Sequence, residues 1–167
     1  MKKYVGKLIS IRLQKRKESI EGLVMDYNDN WTLLRYNPVD YVVDGYILVN
    51  NKKITGFQRE KDEIFKEKLI RLKGYCNDET DMLPISDLKK IINVLDSKYN
   101  LIQVELKSET IAYIGRAIFV DDKTLRLNTL TPEGKKGETM VIDPDNIRFI
   151  QFDNDYINSL KLFIRRK

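Results

Sequence analysis

Residues 22–56 of this 167-residue chain constrain the fold more than any other stretch. They run GLVMDYNDNWTLLRYNPVDYVVDGYILVNNKKITG, in which short alternations of apolar and polar residues are separated by turn residues. Alternation with a period of two is typical of half-buried strands, and Asn, Asp, Gly and Pro are the residues that turns select. The stretch therefore predicts consecutive short strands of one small barrel.

The same pattern predicts five strands in the first part of the chain. They lie within residues 4–13, at about 20–27, at 31–36, at 46–49 and at 53–57. Gly22 is expected where a side chain would obstruct a sharp bend or a bulge of the second strand. Asp44-Gly45 favours a two-residue hairpin turn, whereas Pro38 and Asp40 favour a loop or an edge strand before it.

Two helices are predicted after these strands. From Arg59 the apolar period lengthens, and Gly74 stands where a helix would end. The predicted buried stripe of this helix consists of Ile64, Phe65, Lys68, Leu69 and Leu72. A second helix is predicted over residues 86–99, with Ser86 as its cap. Its stripe consists of Leu88, Ile91, Ile92 and Leu95, which we interpret as core packing rather than as a groove for a partner.

A weaker copy of the strand pattern returns in the second half. A shift of 93 residues aligns 8–57 with 101–150 without a gap, with seven identical positions that include Gly22 and Gly115. The chain is therefore predicted to contain two units of one kind, each closed by a helix. They are residues 1–75 and 101–167, and a linker at 76–100 carries the second helix. The alternative is two unrelated β stretches of similar length.

Several segments resemble the Sm-like variety of SH3-type barrels, namely GKLISIRL, GLVMDYNDNWTLL and the ITG of residues 54–56. The segment NPVDYVVDGY also resembles one carried by bacterial proteins whose function is not assigned. The resemblance implies a mainly β chain with helices, built as two small SH3-like or Sm-like barrels in tandem and joined by a helical linker.

The resemblance does not extend to the residues through which Sm-like proteins recognise RNA. The family places an aspartate six residues after the glycine, an asparagine four residues further on, and an arginine in the last motif. The corresponding residues of this chain are Asn28, Thr32 and Thr55 in the first copy and Asp121, Leu125 and Arg148 in the second. Uridine recognition in the manner of the family is therefore not expected.

Composition favours binding over catalysis. The sequence has no histidine and one cysteine, Cys76, so the commonest general base and zinc ligand is missing, and we expect no enzyme activity, metal or cofactor. The pairs Asp121-Asp122 and Asp153/Asp155 are interpreted as solvated turn residues, and an enzyme that uses carboxylates alone is the minor alternative.

One cysteine cannot form an internal disulfide, and no apolar run could span a bilayer. We therefore expect a cytoplasmic protein without a membrane partner.

Charge and aromatic residues together indicate a candidate binding surface. The net charge is +5, and residues 1–75 carry 16 basic and 10 acidic side chains, a net charge of +6. The candidate ligand-binding residues are Arg12, Arg35, Tyr36, Tyr41, Tyr46, Lys52 and Lys53. Such residues bind RNA or single-stranded nucleic acid by stacking on bases and pairing with phosphates. The alternatives are a protein–protein adaptor that uses the loop at 38–46 or the helix faces, and a purely structural role in core and cross-strand pairs.

Overall fold

The computed structural model describes residues 1–75, 83 and 85–164. These residues belong to two compact units, Met1–Leu83 and Pro84–Lys167. The described chain is mainly β with three α-helices, which confirms the predicted fold class at this level. Cys76, on which the disulfide prediction depends, lies outside the described residues.

Unit 1 is an antiparallel sheet followed by a helix. Its strands are β1 (Leu8–Leu13), β2 (Ile20–Tyr27), β3 (Trp31–Tyr36), β4 (Tyr46–Asn50) and β5 (Ile54–Gln58), and its helix is α1 (Lys61–Leu72). The strands lie in the order β5-β1-β2-β3-β4. The helix ends where Gly74 was predicted to stop it, because Gly74 adopts a φ of 87° that other residues rarely adopt.

Residues 37–45 form a wide loop instead of a two-residue hairpin. The Asn37 side-chain amide donates to the carbonyl groups of Val39, Asp40 and Val42 at 3.2, 3.0 and 2.6 Å. The amide of Asp44 returns to the carbonyl of Tyr36 at 3.0 Å, which closes the loop. Asn37 therefore provides the hydrogen bonds that a strand ladder would otherwise supply. Of the two predicted alternatives before Asp44, a loop and an edge strand, the structure has the loop.

Unit 2 begins with a helix and continues with five antiparallel strands and a further helix. Its elements are α2 (Leu88–Tyr99), β6 (Ile102–Glu105), β7 (Ala112–Val120), β8 (Leu125–Leu130), β9 (Lys136–Ile142), β10 (Phe149–Phe152) and α3 (Asp155–Ile164). The strand order is β10-β6-β7-β8-β9. The N-cap of α2 is Asp87, which accepts from the Lys90 amide at 2.8 Å, and not the predicted Ser86. The buried residues of α2 include the predicted Ile91, Ile92 and Leu95.

The strands of the two units pair in the same register at an offset of 93 residues. Gly22 pairs with Tyr36, and Gly115 pairs with Thr129. The irregularities that follow also correspond, lying between Val24 and Asp26 in β2 and between Ala117 and Phe119 in β7. A Cβ atom added at Gly22 would lie 2.5 Å from the carbonyl oxygen of Arg35, and one at Gly115 would overlap the carbonyl oxygen of Asn128. Both glycines are therefore required by the close approach of the neighbouring strand.

The strands of each unit form an open arrangement, and among the described residues neither unit forms the closed barrel that the sequence predicted. The fifth strand of each unit pairs with the first, as in a five-stranded barrel. Within the described residues, however, no hydrogen-bonded ladder joins β4 to β5 or β9 to β10. A short 3-10 turn, Asn51–Lys53, separates β4 from β5, and the Asn50 side chain accepts from the Lys52 amide at 3.0 Å within it. This turn directs β5 towards β1.

The predicted buried stripe of α1 is wrong, because the opposite side of the helix faces the sheet. The buried residues of α1 are Glu63 and Ile70. Ile64, Phe65 and Leu72 are instead 40%, 52% and 83% exposed. The period of apolar residues predicted the helix correctly but not its orientation, because α1 contacts the sheet mainly through ionic side chains.

Candidate functional site

Two of the predicted ligand-binding residues, Arg35 and Tyr46, form a cross-strand pair between β3 and β4. The guanidinium carbon of Arg35 lies 4.7 Å from the centroid of the Tyr46 ring, and Nη1 donates to the Tyr46 hydroxyl. Tyr46 is only 6% exposed. Tyr36 is half-buried at the end of β3, opposite Gly22. The stacking face of Tyr46 is therefore covered by the unit itself.

Tyr41 is the exposed member of the predicted aromatic cluster. It lies in the 37–45 loop, and its ring meets the ring of Phe65 on α1 edge-on, at a centroid distance of 6.2 Å. The ammonium group of Lys73 donates to the Tyr41 carbonyl at 2.8 Å, which ties the loop to the end of α1. These contacts bring Tyr41 to α1 and not to the other predicted residues.

The remaining predicted residues, Arg12, Lys52 and Lys53, lie where β1 ends and β5 begins. The carbonyl of Lys53 accepts from the amide of Gln14 at 2.9 Å. Arg12 pairs with Gly56 across β1 and β5, and its guanidinium covers that glycine. We call Arg12, Lys52 and Lys53 the basic end. The seven predicted residues thus belong to three sets of contacts rather than to one cluster.

The inward side of α1 is held by carboxylates. Glu67 accepts from the Leu8 amide at 2.9 Å, and its carboxylate lies 2.8 Å from Arg59 and 3.0 Å from Arg71. Burial raises the pKa of Glu67, but the hydrogen bonds from Leu8 and Arg71 and the charge of Arg59 outweigh burial, so its pKa lies below the usual value. The Glu67 carboxylate is therefore a fixed negative charge that joins α1 to β1.

Glu63 makes a similar connection one turn earlier. Its carboxylate accepts from the Ser10 hydroxyl and from the Glu60 amide, both at 2.7 Å. Burial raises the pKa of Glu63, but these two hydrogen bonds outweigh burial and leave the pKa below its usual value. On the same side, Lys66 donates to Glu21 on β2 at 2.8 Å. Charged residues three and four positions apart on α1 thus bond to groups of β1 and β2.

The outward side of α1 carries exposed apolar side chains, one of which contacts the 37–45 loop. Phe65 and Leu72, seven positions apart, share one helical side, and Tyr41 contacts Phe65. We call the following exposed residues the loop–helix surface: Val39, Tyr41, Val42, Phe65 and Leu72. Exposed lysines flank it, with Lys61 and Lys68 on the same helical side. Sequence reasoning missed this surface because it assigned Phe65 and Leu72 to the core. The local sequence held no signal for the true inward side, because Glu63 and Glu67 face inward through hydrogen bonds to Ser10 and Leu8 on β1.

No protein-family model, curated protein or solved structure matches this chain. None of the described helices is long and apolar enough to cross a membrane. The described residues also contain no group of three or more Cys, Asp or Glu side chains arranged to hold a metal ion. The loop–helix surface and the basic end contain four of the seven predicted ligand-binding residues, namely Tyr41, Arg12, Lys52 and Lys53.

Arg148, which the Sm-like resemblance placed at the position of the family's arginine, is buried in unit 2. Its Nη1 lies 3.2 Å from the carboxylate of Glu105, and the two side chains are 5% and 6% exposed. The Arg148 amide also donates to the Glu105 carbonyl at 2.9 Å. Arg148 therefore connects the start of β10 to β6 and does not face solvent.

Proposed function

We propose that this chain is a non-enzymatic binding protein that docks another protein on the loop–helix surface of unit 1. The observation that carries the proposal is the orientation of α1, whose ionic side faces the sheet while Phe65 and Leu72 face outward. Exposed apolar patches of this kind mark interaction sites in soluble proteins. A few residues supply most of the binding energy at such sites, and tyrosine is enriched among them, which fits Tyr41.

The free energy of burying these apolar side chains favours contact with a partner over exposure to water. Burial of one large apolar side chain contributes about 1.5–3 kcal/mol, so five partly exposed side chains leave several kcal/mol available for association. The lysines beside the surface, Lys61 and Lys68, favour a partner with an acidic rim. Both features agree with the adaptor hypothesis for the loop at 38–46 and the helix faces.

The scaffold in this proposal is a tandem pair of open, five-stranded units that share the strand order of Sm-like, SH3-type barrels. Its support is the strand order β5-β1-β2-β3-β4, which recurs in unit 2, together with the glycine and the irregularity shared by β2 and β7. A small scaffold that presents a loop and a helix suits a binding module, because such sites lie on loops held by rigid elements. A cytoplasmic location stays a prediction from the single cysteine.

Affinity capture with matched variants tests the protein-binding proposal. The Tyr41→Ala/Phe65→Ala variant removes the aromatic pair, and Ile118→Ala/Val141→Ala removes two exposed apolar residues of unit 2 as the control. We expect a protein that binds the wild type and the control but is lost with the first variant. Its dissociation constant is then measured with purified components. Equal retention of every captured protein by all three forms would refute the proposal.

Nucleic-acid binding is the second candidate function, and a specific feature of β5 favours it. Phe57 is 40% exposed, and its ring lies 6.0 Å from the ring of Tyr4, so an aromatic pair follows the basic end along the edge of the sheet. Aromatic rings stack on the bases of single strands while cations pair with phosphates. The partner in this candidate function is RNA or single-stranded DNA.

Fluorescence anisotropy with single-stranded RNA and DNA tests this second function. Each phosphate contact contributes about −0.7 to the slope of log K against log salt concentration for single strands, so replacing the three cations of the basic end with glutamine should reduce the slope by about 2 units. The Lys61→Gln/Lys68→Gln variant of α1 is the control and should keep the wild-type slope. Absence of binding at low salt, or binding that does not depend on salt, would exclude this function.

A further inference from the structure

A small pocket of about 160 Å³ opens on unit 1 near the end of α1. Its apolar walls include Val5, Leu23, Met25 and Tyr75, and two guanidinium groups, from Arg35 and Arg71, complete it. None of these residues belongs to the loop–helix surface or to the basic end. The pocket is therefore a feature of unit 1 separate from both surfaces.

The apolar floor of the pocket is part of a packed cluster. Leu23 belongs to a buried cluster with Leu8 and Ile70, and Tyr75 packs against that cluster. The cluster contains residues from β1, β2 and α1, so its side chains are held from three directions. A pocket above such a floor is preformed and does not have to be opened by a ligand.

The charged residues that line the pocket, among those that the structure describes, are two arginines. Arg71 donates through Nε to Glu67 at 3.0 Å and through Nη2 to the carbonyl of Gly6. These bonds use two of the five N–H groups of the guanidinium and fix its plane at the wall of the pocket. Glu67 is shared with Arg59, so one carboxylate faces two cations. Arg35 also lines the pocket, and the guanidinium of Arg71 keeps N–H groups that can pair with an anion.

The size of the pocket limits the ligand. An engineered apolar cavity of about 150 Å³ holds one benzene molecule, whereas sites for drug-sized ligands measure about 300–1,000 Å³. The pocket can therefore enclose one apolar group of side-chain size but not a nucleotide. A planar guanidinium pairs best with a planar, two-oxygen acceptor, which a carboxylate provides.

We propose that this pocket binds an apolar group of side-chain size that carries a carboxylate, with the apolar group against Leu23, Met25 and Tyr75 and the carboxylate on Arg71. Two sources share this chemistry: a free small carboxylic acid and the C-terminal residue of a polypeptide. In the second case the terminal side chain enters the pocket and the terminal carboxylate pairs with the guanidinium.

Amide chemical shifts of the full-length, isotopically labelled protein test the proposal. The probes are benzoate, 4-methylpentanoate, the acetylated peptide Gly-Gly-Leu with a free carboxylate, and the uncharged amides of all three. We expect saturable shifts at Gly6, Leu23, Met25 and Tyr75 with carboxylate probes, and binding at least about ten-fold weaker with the amides, because a charge-assisted pair is lost. Arg71→Gln should weaken carboxylate binding by a similar factor, whereas Arg126→Gln in unit 2 is the matched control and should have no effect.

A second variant keeps the test decisive if Arg71→Gln disturbs α1. Met25→Trp places a larger side chain in the pocket and should abolish binding of every probe while the spectrum stays that of a folded protein. Binding of the peptide without the two small acids assigns the site to polypeptide C-termini, and comparable binding of the small acids assigns it to free acids. The proposal is overturned if no carboxylate probe gives saturable shifts at millimolar concentration, if the amides bind as tightly, or if Met25→Trp binds like the wild type.

Discussion

Tyr41 and Phe65 meet edge to face, with ring planes inclined at 80°, and this contact joins the 37–45 loop to the outward side of α1. Phe65 is 52% exposed, so the pair is a surface feature and not part of a core. Glu63 and Glu67 turn this side of the helix outward, because their carboxylates bind groups on β1 and before α1. The exposed aromatic pair is thus a direct consequence of ionic packing beneath the helix.

Replacement of the Tyr41–Phe65 pair should reveal a modest coupling in stability. Edge-to-face aromatic pairs contribute about 0.5–1.5 kcal/mol beyond the area that they bury, so a double-mutant cycle with Tyr41→Ala and Phe65→Ala should give a coupling energy in this range. The single tryptophan, Trp31, is buried in unit 1, and its fluorescence reports urea unfolding of that unit. Leu72→Ala, at an 83% exposed position, is the control and should change stability little. Strictly additive effects would contradict the contact.

Loss of the Glu67 carboxylate should destabilise unit 1 much more than loss of an exposed carboxylate on the same helix. Glu67→Gln weakens the contacts with the Leu8 amide, Arg59 and Arg71, and we expect a loss of about 2–3 kcal/mol because these groups are partly buried. Asp62→Asn removes an exposed partner of Lys66 and should cost less than about 1 kcal/mol. Urea unfolding followed by Trp31 fluorescence measures both. Equal effects of the two substitutions would show that Glu67 does not hold the helix.

The strand regions were predictable from the sequence because alternation and turn residues report local structure directly. The register that the β2–β3 pair shares with the β7–β8 pair was also predictable, because the strands around Gly22 and Gly115 have the same spacing along the chain. The orientation of α1 was not predictable from apolar periodicity, because periodicity assumes that the apolar side faces inward. Here the long-range partners of Glu67, which lie on β1 and before α1, decide the orientation, and no local pattern contains them.

The candidate site was predictable only in part for a similar reason. Tyr41 was identified from its position in a polar loop, and it is exposed as a binding residue must be. Tyr46 has the same local context, but its partner Arg35 lies eleven positions earlier on the neighbouring strand, and their pairing depends on the sheet. Phe65 was assigned to the core because the ionic contacts of its helix could not be anticipated. Whether an aromatic side chain is exposed thus depends on the tertiary structure.

The stability of unit 1 should fall in acid because of Glu63 and Glu67. Both carboxyl groups have pKa values below their usual value in the folded state, so the folded state favours their ionised forms. Their contribution is complete above the unfolded pKa of about 4.3 and is lost as the pH falls through the lower folded pKa values. Urea midpoints measured by Trp31 fluorescence should therefore decrease from about pH 5 downward. Glu67→Gln should flatten this decrease, and an unchanged pH profile in that variant would contradict the assignment.

Addition of a single methyl group should distinguish the two glycines that face neighbouring strands in unit 1. Gly22→Ala places Cβ 2.5 Å from a backbone oxygen and 2.9 Å from the Leu34 side chain, and we expect a loss of about 3 kcal/mol because a central strand cannot move away. Gly56→Ala meets the end of the flexible Arg12 side chain and should cost less than about 1 kcal/mol. Thermal unfolding monitored by Trp31 fluorescence compares them. A tolerated Gly22→Ala would contradict the close approach of β2 and β3.

Removal of the Arg148 guanidinium should destabilise unit 2 strongly. Its ion pair with Glu105 is buried, and breaking such a pair from one side costs about 3–5 kcal/mol because a charge remains in the interior. Arg148→Met should therefore increase amide exchange throughout β6 and β10, whereas Glu105→Leu/Arg148→Met should recover most of the lost protection because no buried charge is left. Arg116→Met breaks an exposed pair with Asp96 and is the matched control, for which we expect less than about 1 kcal/mol. If Arg148→Met exchanged as slowly as this control, the Arg148–Glu105 pair would not stabilise the β6–β10 ladder.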